Sequence, residues 1–287
     1  MPPTVTDQDH RLQAYLKRGI SSVDGWFTHS DAQLVAAIAS AQQAAGVSGA
    51  VGEIGVHHGR MFLVMALTLR PGERSFAIDV FDQQQLNFDR SGRGDEAVFR
   101  ANLAKYDIPD TQVAIFKRSS LEIAWPEIAA AVGGPARLFS VDGGHTAEIV
   151  ENDIAIAADS LAEGGVIVMD DYFSREFPGV SEGITRFLIG HPGLLVPFAL
   201  GDMRMFLCRP EWAARWRAVL MGCPVAGNHV RSAAMFGGEV DIYTTPRMLF
   251  DRVRRLSIVK KLRDNPAFER FKPLVRRVLT RGGRFGG

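Results

Sequence analysis

The 287-residue chain has little of several things that would settle its class at once. It holds two cysteines, Cys208 and Cys223, too few for a disulfide framework and without the spacing of a zinc site. No stretch reaches the roughly 18 apolar residues that a membrane span requires. The N-terminal MPPTVTDQDHRLQAYLKRG lacks the apolar core of a secretory signal. The formal net charge of +1 sets up no global field for nucleic acid. These absences favour a reducing, cytoplasmic compartment. What remains is average: 46% hydrophobic and 23% charged residues, which excludes disordered, collagen-like and low-complexity classes. A chain this long can bury a large core without covalent or metal staples.

Charge is unevenly spread. Residues 251–287 hold 12 Lys and Arg against 3 acids, so this tail carries +9 and the rest −8. Within 251–280, Val253, Leu256, Ile258, Val259, Leu262, Phe268 and Phe271 interleave with the cations. Such a stretch is either a basic amphipathic helix in weak contact with an anionic membrane surface or an ordinary helix with solvated cations. The ordinary reading is favoured. Nucleic acid is not an expected partner, because the remainder is acidic and no RNA-binding motif is present.

The pattern of the middle of the chain is regular. Ser30 and Asp31 can cap a helix running to about Ala45. Short apolar runs at 49–56, 75–80, 112–116, 137–142 and 165–170 alternate with helical stretches of 9–16 residues. Strands alternating with helices specify a doubly wound, mostly parallel sheet. Two last strands near 194–200 and 204–208 flank Gly201-Asp202, a hairpin signal that makes the terminal strand antiparallel. The expected organisation is an N-terminal helical lead-in or lid over 1–48, a seven-stranded α/β domain over 49–210, and a helical basic extension over 211–287. Residues 82–94 form a long polar loop of the kind that serves as a functional lid.

In open α/β sheets, ligands sit at the carboxyl ends of the strands. Polar residues recur at that end of five predicted strands. They are Gly55 and Gly59, then Asp79, then Ser119 and Ser120, then Asp142, then Asp170 and Asp171. The glycines of Glu53-Ile-Gly55-Val-His-His-Gly59 let backbone approach a ligand, and an acid at Asp79 can accept from ribose hydroxyls. His57 stands where a dinucleotide fingerprint wants glycine, so that motif is not met. The lesser alternative for Asp142 is a cap of the helix that follows it. His145 is either the candidate base or a packing histidine.

These residues carry a resemblance. Glu53-x-Gly55-x-x-x-Gly59, Asp79, Val141-Asp142-Gly143-Gly144-His145 and Gly164-Gly165-Val166-Ile167-Val168-Met169-Asp170-Asp171-Tyr172 resemble class I S-adenosylmethionine-dependent methyltransferases. They are most similar to the branch of macrocin O-methyltransferase and its antibiotic-sugar relatives, and to cephalosporin hydroxylase-like proteins. The resemblance implies cofactor contacts from Glu53, Gly55, Gly59, Asp79, Ser119 and Ser120. It implies Mg²⁺ bound by Asp142, Asp170 and Asp171. Converging carboxylates do repel one another unless a cation sits among them, and oxygen ligands suit Mg²⁺ first. The cofactor sulfonium is already electrophilic, so the protein must align a nucleophile and help to remove its proton.

The expected activity is therefore O-methylation of a small molecule or glycan hydroxyl, with His145 and Asp142 catalytic. The alternatives are a metal-free or N-directed methyltransferase, or a non-catalytic cofactor-binding protein. Trp26 and Phe27 are either an aromatic rim over the acceptor or an anchor for the lead-in. Tyr172 is a candidate border of the acceptor pocket. A homo-oligomer is compatible with all of this.

Overall fold

The computed structural model describes residues 7–87 and 90–244. The chain divides into residues 1–243, which hold every described element, and residues 244–287. The basic stretch 251–280 lies outside the described residues. Among the described residues no helix is long and apolar enough to cross a membrane.

The lead-in begins with α1 (Asp7–Ala14) and α2 (His29–Ala44). The alternating region then runs β1 (Ala50–Ile54), α3 (Arg60–Ala66), β2 (Ser75–Asp79), α4 (Glu96–Lys105), β3 (Val113–Lys117) and α5 (Trp125–Val132). It continues with β4 (Ala136–Val141), α6 (Ala147–Ser160), β5 (Leu161–Met169), α7 (Pro178–Gly190), β6 (Val196–Leu200) and β7 (Met205–Cys208). After these come α8 (Pro210–Met221), β8 (His229–Met235) and β9 (Gly238–Tyr243).

All nine strands form one sheet in the order β3-β2-β1-β4-β5-β7-β6-β9-β8. β1 to β5 are parallel, and β7 runs antiparallel between β5 and β6. That is the doubly wound sheet with a reversed terminal strand expected from the sequence. The strand order reverses at β1, between β2 on one side and β4 on the other, which opens the crevice where ligands bind.

Period-2 alternation sorts the strands between two cores. Val51, Ala77, Leu138, Val166 and Val168 face α2, α3, α4 and α8. Ile54, Phe76, Ile78, Phe139, Ile167 and Met169 face α5, α6 and α7. With helices on both faces, the strands read as continuous apolar runs rather than alternating ones.

Three expectations need correction. Beyond residue 210 only α8 is helical among the described residues, apart from a short 3-10 turn at Pro224–Asn228. Residues 229–243 instead form a hairpin that pairs parallel to β6 through β9, giving nine strands rather than seven. Its turn, Phe236-Gly237, has positive φ at both positions (47° and 76°), as a two-residue hairpin requires. Second, α2 is capped by Thr28, whose hydroxyl oxygen accepts from Asp31 N–H. Asp31 is buried and serves elsewhere. Third, α6 is capped by Thr146, which frees Asp142 from a capping role.

Candidate active site

A cavity of about 620 Å³ lies at the carboxyl ends of β1, β2, β4 and β5, within the range of small-molecule sites. Of the residues singled out from sequence, Gly55, Asp79, Ser119, Ser120, Asp142, His145, Asp170 and Asp171 line it. The loop after β2 contributes Gln84, Leu86, Asn87, Ser91, Gly92 and Gly94. Glu53, Gly59 and Tyr172 are not on its wall. Tyr172 is buried in the core beside α7, and its carbonyl accepts from Ser181.

The first turn is shaped by close approach. Gly55 has φ 81°, and a Cβ there would lie 1.7 Å from the Asp142 carbonyl oxygen. Gly59 caps α3 with φ 88°, and a Cβ on it would strike Phe99. Both glycines bring protein against protein, and only Gly55 also faces the cavity. Asp79 fastens this region. Its carboxylate accepts from the backbone N–H of His57 at 2.7 Å and of Phe81 at 2.5 Å. Those two residues hold left-handed φ of 52° and 48°, a conformation costly for side-chain-bearing residues. Burial pushes the Asp79 carboxyl up, against the pull of the backbone donors.

Glu53 lies beneath the turn, 1% exposed. Its Oε1 accepts from the Ser140 hydroxyl at 3.0 Å, while Oε2 is buried without a hydrogen-bond partner. Burial pushes its carboxyl well above the usual range. On the far wall, the Ser120 hydroxyl bonds Asp153, whose carboxyl is raised by burial to about 6. Ser119 caps the short turn after β3.

The acid cluster divides in two. Asp170 turns to Arg204, a side chain 3% exposed, which donates to both Asp170 and Asp31 and lies over the Phe27 ring at 4.5 Å. The other Asp170 oxygen accepts from Asp171 N–H at 2.7 Å. Asp142 hydrogen-bonds Asp170, and burial together with this neighbour pushes the Asp142 carboxyl well above its ordinary range. Asp142, His145 and Asp171 then form a second group whose ligand atoms all lie within 4.8 Å of one another. His145 Nε2 is 3.5 Å from Asp171 Oδ2, its Nδ1 is 3.2 Å from the Ser91 hydroxyl, and its ring stacks on Phe177 at 3.7 Å.

Sequence reasoning paired Asp170 with Asp171 as equivalent ligands. The structure gives them different neighbours, Arg204 for Asp170 and His145 for Asp171, which has a left-handed φ of 55°. Arg204, Phe177 and Ser91 carried no local signal, each being remote in sequence from the residue it serves. The two lead-in aromatics also part company. Phe27 is buried, whereas Trp26 is 74% exposed and lines the cavity.

Comparison with known proteins agrees with this geometry. Residues 53–172 match the family model described as "Methyltransferase domain". The O-methyltransferase NovP is 15% identical, with 71% of this chain and 99% of that chain covered, at a TM-score of 0.59. TomG from Streptomyces achromogenes, an O-methyltransferase of tomaymycin synthesis solved with its cofactor, is 19% identical over 71% and 90% of the two chains, at a TM-score of 0.48. CalS11, a TDP-rhamnose 3'-O-methyltransferase, is 16% identical over 71% and 96%, at 0.47. No curated protein matches the sequence. Residues 53–172 thus carry a methyltransferase domain, on a fold that the chain shares with NovP.

Proposed function

We propose that the enzyme methylates a hydroxyl of a small molecule or sugar, assisted by a divalent cation held by Asp142, His145 and Asp171. The observation that carries this reading is the convergence of those three side chains on the cavity wall, with their ligand atoms within 4.8 Å of one another. The two carboxylates suit Mg²⁺ or Mn²⁺, and the imidazole favours the softer Mn²⁺ of the two. Relative to the three-acid set, His145 takes the place of Asp170, whose oxygens are engaged by Arg204 and Asp171 N–H. A cation there would act as a Lewis acid, lowering the pKa of the acceptor hydroxyl.

The residues present fit the cofactor. Asp79 faces the cavity as a fixed acceptor for ribose hydroxyls, and Gly55, Ser119 and Ser120 complete its wall. When bound, S-adenosylmethionine supplies an electrophilic methyl group. The protein's part is to hold the acceptor oxygen in line with it and to exclude water. Trp26 and Phe177 offer apolar faces for the body of the acceptor. NovP, the neighbour whose fold this chain shares most fully among those above, is an O-methyltransferase, which supports the choice of oxygen.

A second reading is favoured by Arg204, which already supplies a cation beside Asp170 and Asp142. In that case no metal is needed, and His145, oriented by Asp171, takes the hydroxyl proton itself. Methyl transfer from labelled cofactor to a panel of hydroxylated acceptors, run with Mg²⁺ and with EDTA, separates the two. Loss of turnover in EDTA supports the cation, and full turnover in EDTA supports the metal-free reading. Transfer to amines but to no hydroxyl would overturn both. Asp142→Asn should cut turnover while leaving affinity for S-adenosylhomocysteine within a few-fold.

A further inference from the structure

A second group of metal-ligating side chains lies at the rim of the cavity. Asp24 of the lead-in and His57 and His58 of the first turn place their ligand atoms within 4.8 Å of one another. We infer that Asp24, His57 and His58 form a binding site for a transition-metal ion of the Zn²⁺ type, separate from the Asp142 cluster. The inference does not depend on the proposed reaction.

Three observations carry it. The donor set is two imidazoles and one carboxylate, which selects Zn²⁺, Co²⁺ or Ni²⁺ over Mg²⁺. His57 Nδ1 is buried and has no hydrogen-bond partner, an unmet donor or acceptor that an ion would satisfy. The two rings are already gathered, with centroids 3.9 Å apart, and His58 Nδ1 is 3.8 Å from Asp24 Oδ2. Tetrahedral ligands bonded at about 2.0–2.2 Å sit about 3.4 Å apart. Asp24, whose side chain is 81% exposed, holds the Gly25 N–H through Oδ1 at 3.0 Å and leaves Oδ2 toward the site.

Three protein ligands leave one tetrahedral position open. It would face the cavity mouth, because His57 lines the cavity and Trp26 packs on its ring at 5.2 Å. The ion would tie the lead-in to the turn that Asp79 fastens from the other side. It would thereby fix Trp26 over the opening.

The test is a Co²⁺ titration of the full-length protein after EDTA treatment, read as visible d–d absorption. Wild type and His145→Ala should both bind at this site. His58→Gln and Asp24→Ala should each weaken it, by at least the roughly 10–100-fold that loss of an outer partner causes. Thermal melts in EDTA that coincide with wild type show that the variants fold. Asp24→Ala serves where His58→Gln does not, since its side chain is exposed. Absorption that persists unchanged in both variants, or that vanishes in His145→Ala, overturns the site, the latter by assigning the ion to the Asp142 cluster. Absence of absorption in wild type overturns it as well.

Discussion

A side chain on Gly55 would collide with the carbonyl oxygen of Asp142, 1.7 Å from its Cβ position. The first turn and the end of β4 are thus one unit, and the glycine is what lets them meet. Gly55→Ala should lower stability by more than the roughly 1–2 kcal/mol that a left-handed alanine costs, because Asp142 must also move. Urea denaturation gives the first effect and cofactor affinity the second. Unchanged values of both would show that β4 yields without cost.

Arg204 balances buried Asp31 and Asp170 together. Arg204→Met should destabilise the fold by about 3–5 kcal/mol, the cost of leaving buried charges without their partner. Equilibrium unfolding at neutral pH measures it. A loss below about 1 kcal/mol, the size of an exposed pair, would mean that the triad is solvated.

Asp153 gives the stability a pH dependence. Its carboxyl is at about 6 when folded and 3.8 ordinarily. The folded protein holds this proton more tightly, so the contribution is full below pH 4 and is lost as pH rises through 6. Asp153→Asn, which cannot ionise, should therefore stabilise the protein at pH 8 by roughly 3 kcal/mol. It should give no such gain at pH 4. Urea titrations at the two values decide it, and equal differences at both would remove Asp153 as the cause.

Asp79→Ala should weaken S-adenosylhomocysteine binding in calorimetry and also lower stability, since it releases the His57 and Phe81 N–H groups. Asp82 cannot take over the ribose, because it lies off the cavity wall and pairs with Lys117 at 2.5 Å. Retained affinity would place the ribose contact elsewhere on the wall.

His145→Gln should reduce kcat by about 10²–10⁴-fold if it takes the proton, with cofactor affinity preserved. Phe177→Ala, which removes the face that holds the ring, should lower kcat in the same direction but less. Full activity in His145→Gln would limit His145 to packing.

The sheet was legible because helices cover both faces, which turns each strand into an apolar run ending in a polar residue such as Asp79 or Asp142. The direction of β7 was legible from Gly201. The hairpin of β8 and β9 was not, because Arg231, Ser232, Ala233 and Ala234 are weak strand formers and the hairpin joins the sheet only by the pairing of β9 with β6. The only local signal was Gly237. In the site, the strand-end residues were legible as a set, and their division was not. Arg204 selects Asp170 from 34 residues away, and φ at Asp171 is a backbone choice that no side chain announces.

The added hairpin also changes what the molecule shows to its own copies. Without β9, β6 would be an outermost strand, with buried, apolar Phe198, Ala199 and Leu200 next to unpaired backbone groups. Such an edge templates aggregation. The boundary is instead β8, which presents exposed Arg231 and Ser232, and at the opposite boundary β3 ends in Lys117. A charged edge of this kind disfavours strand-to-strand joining of two copies.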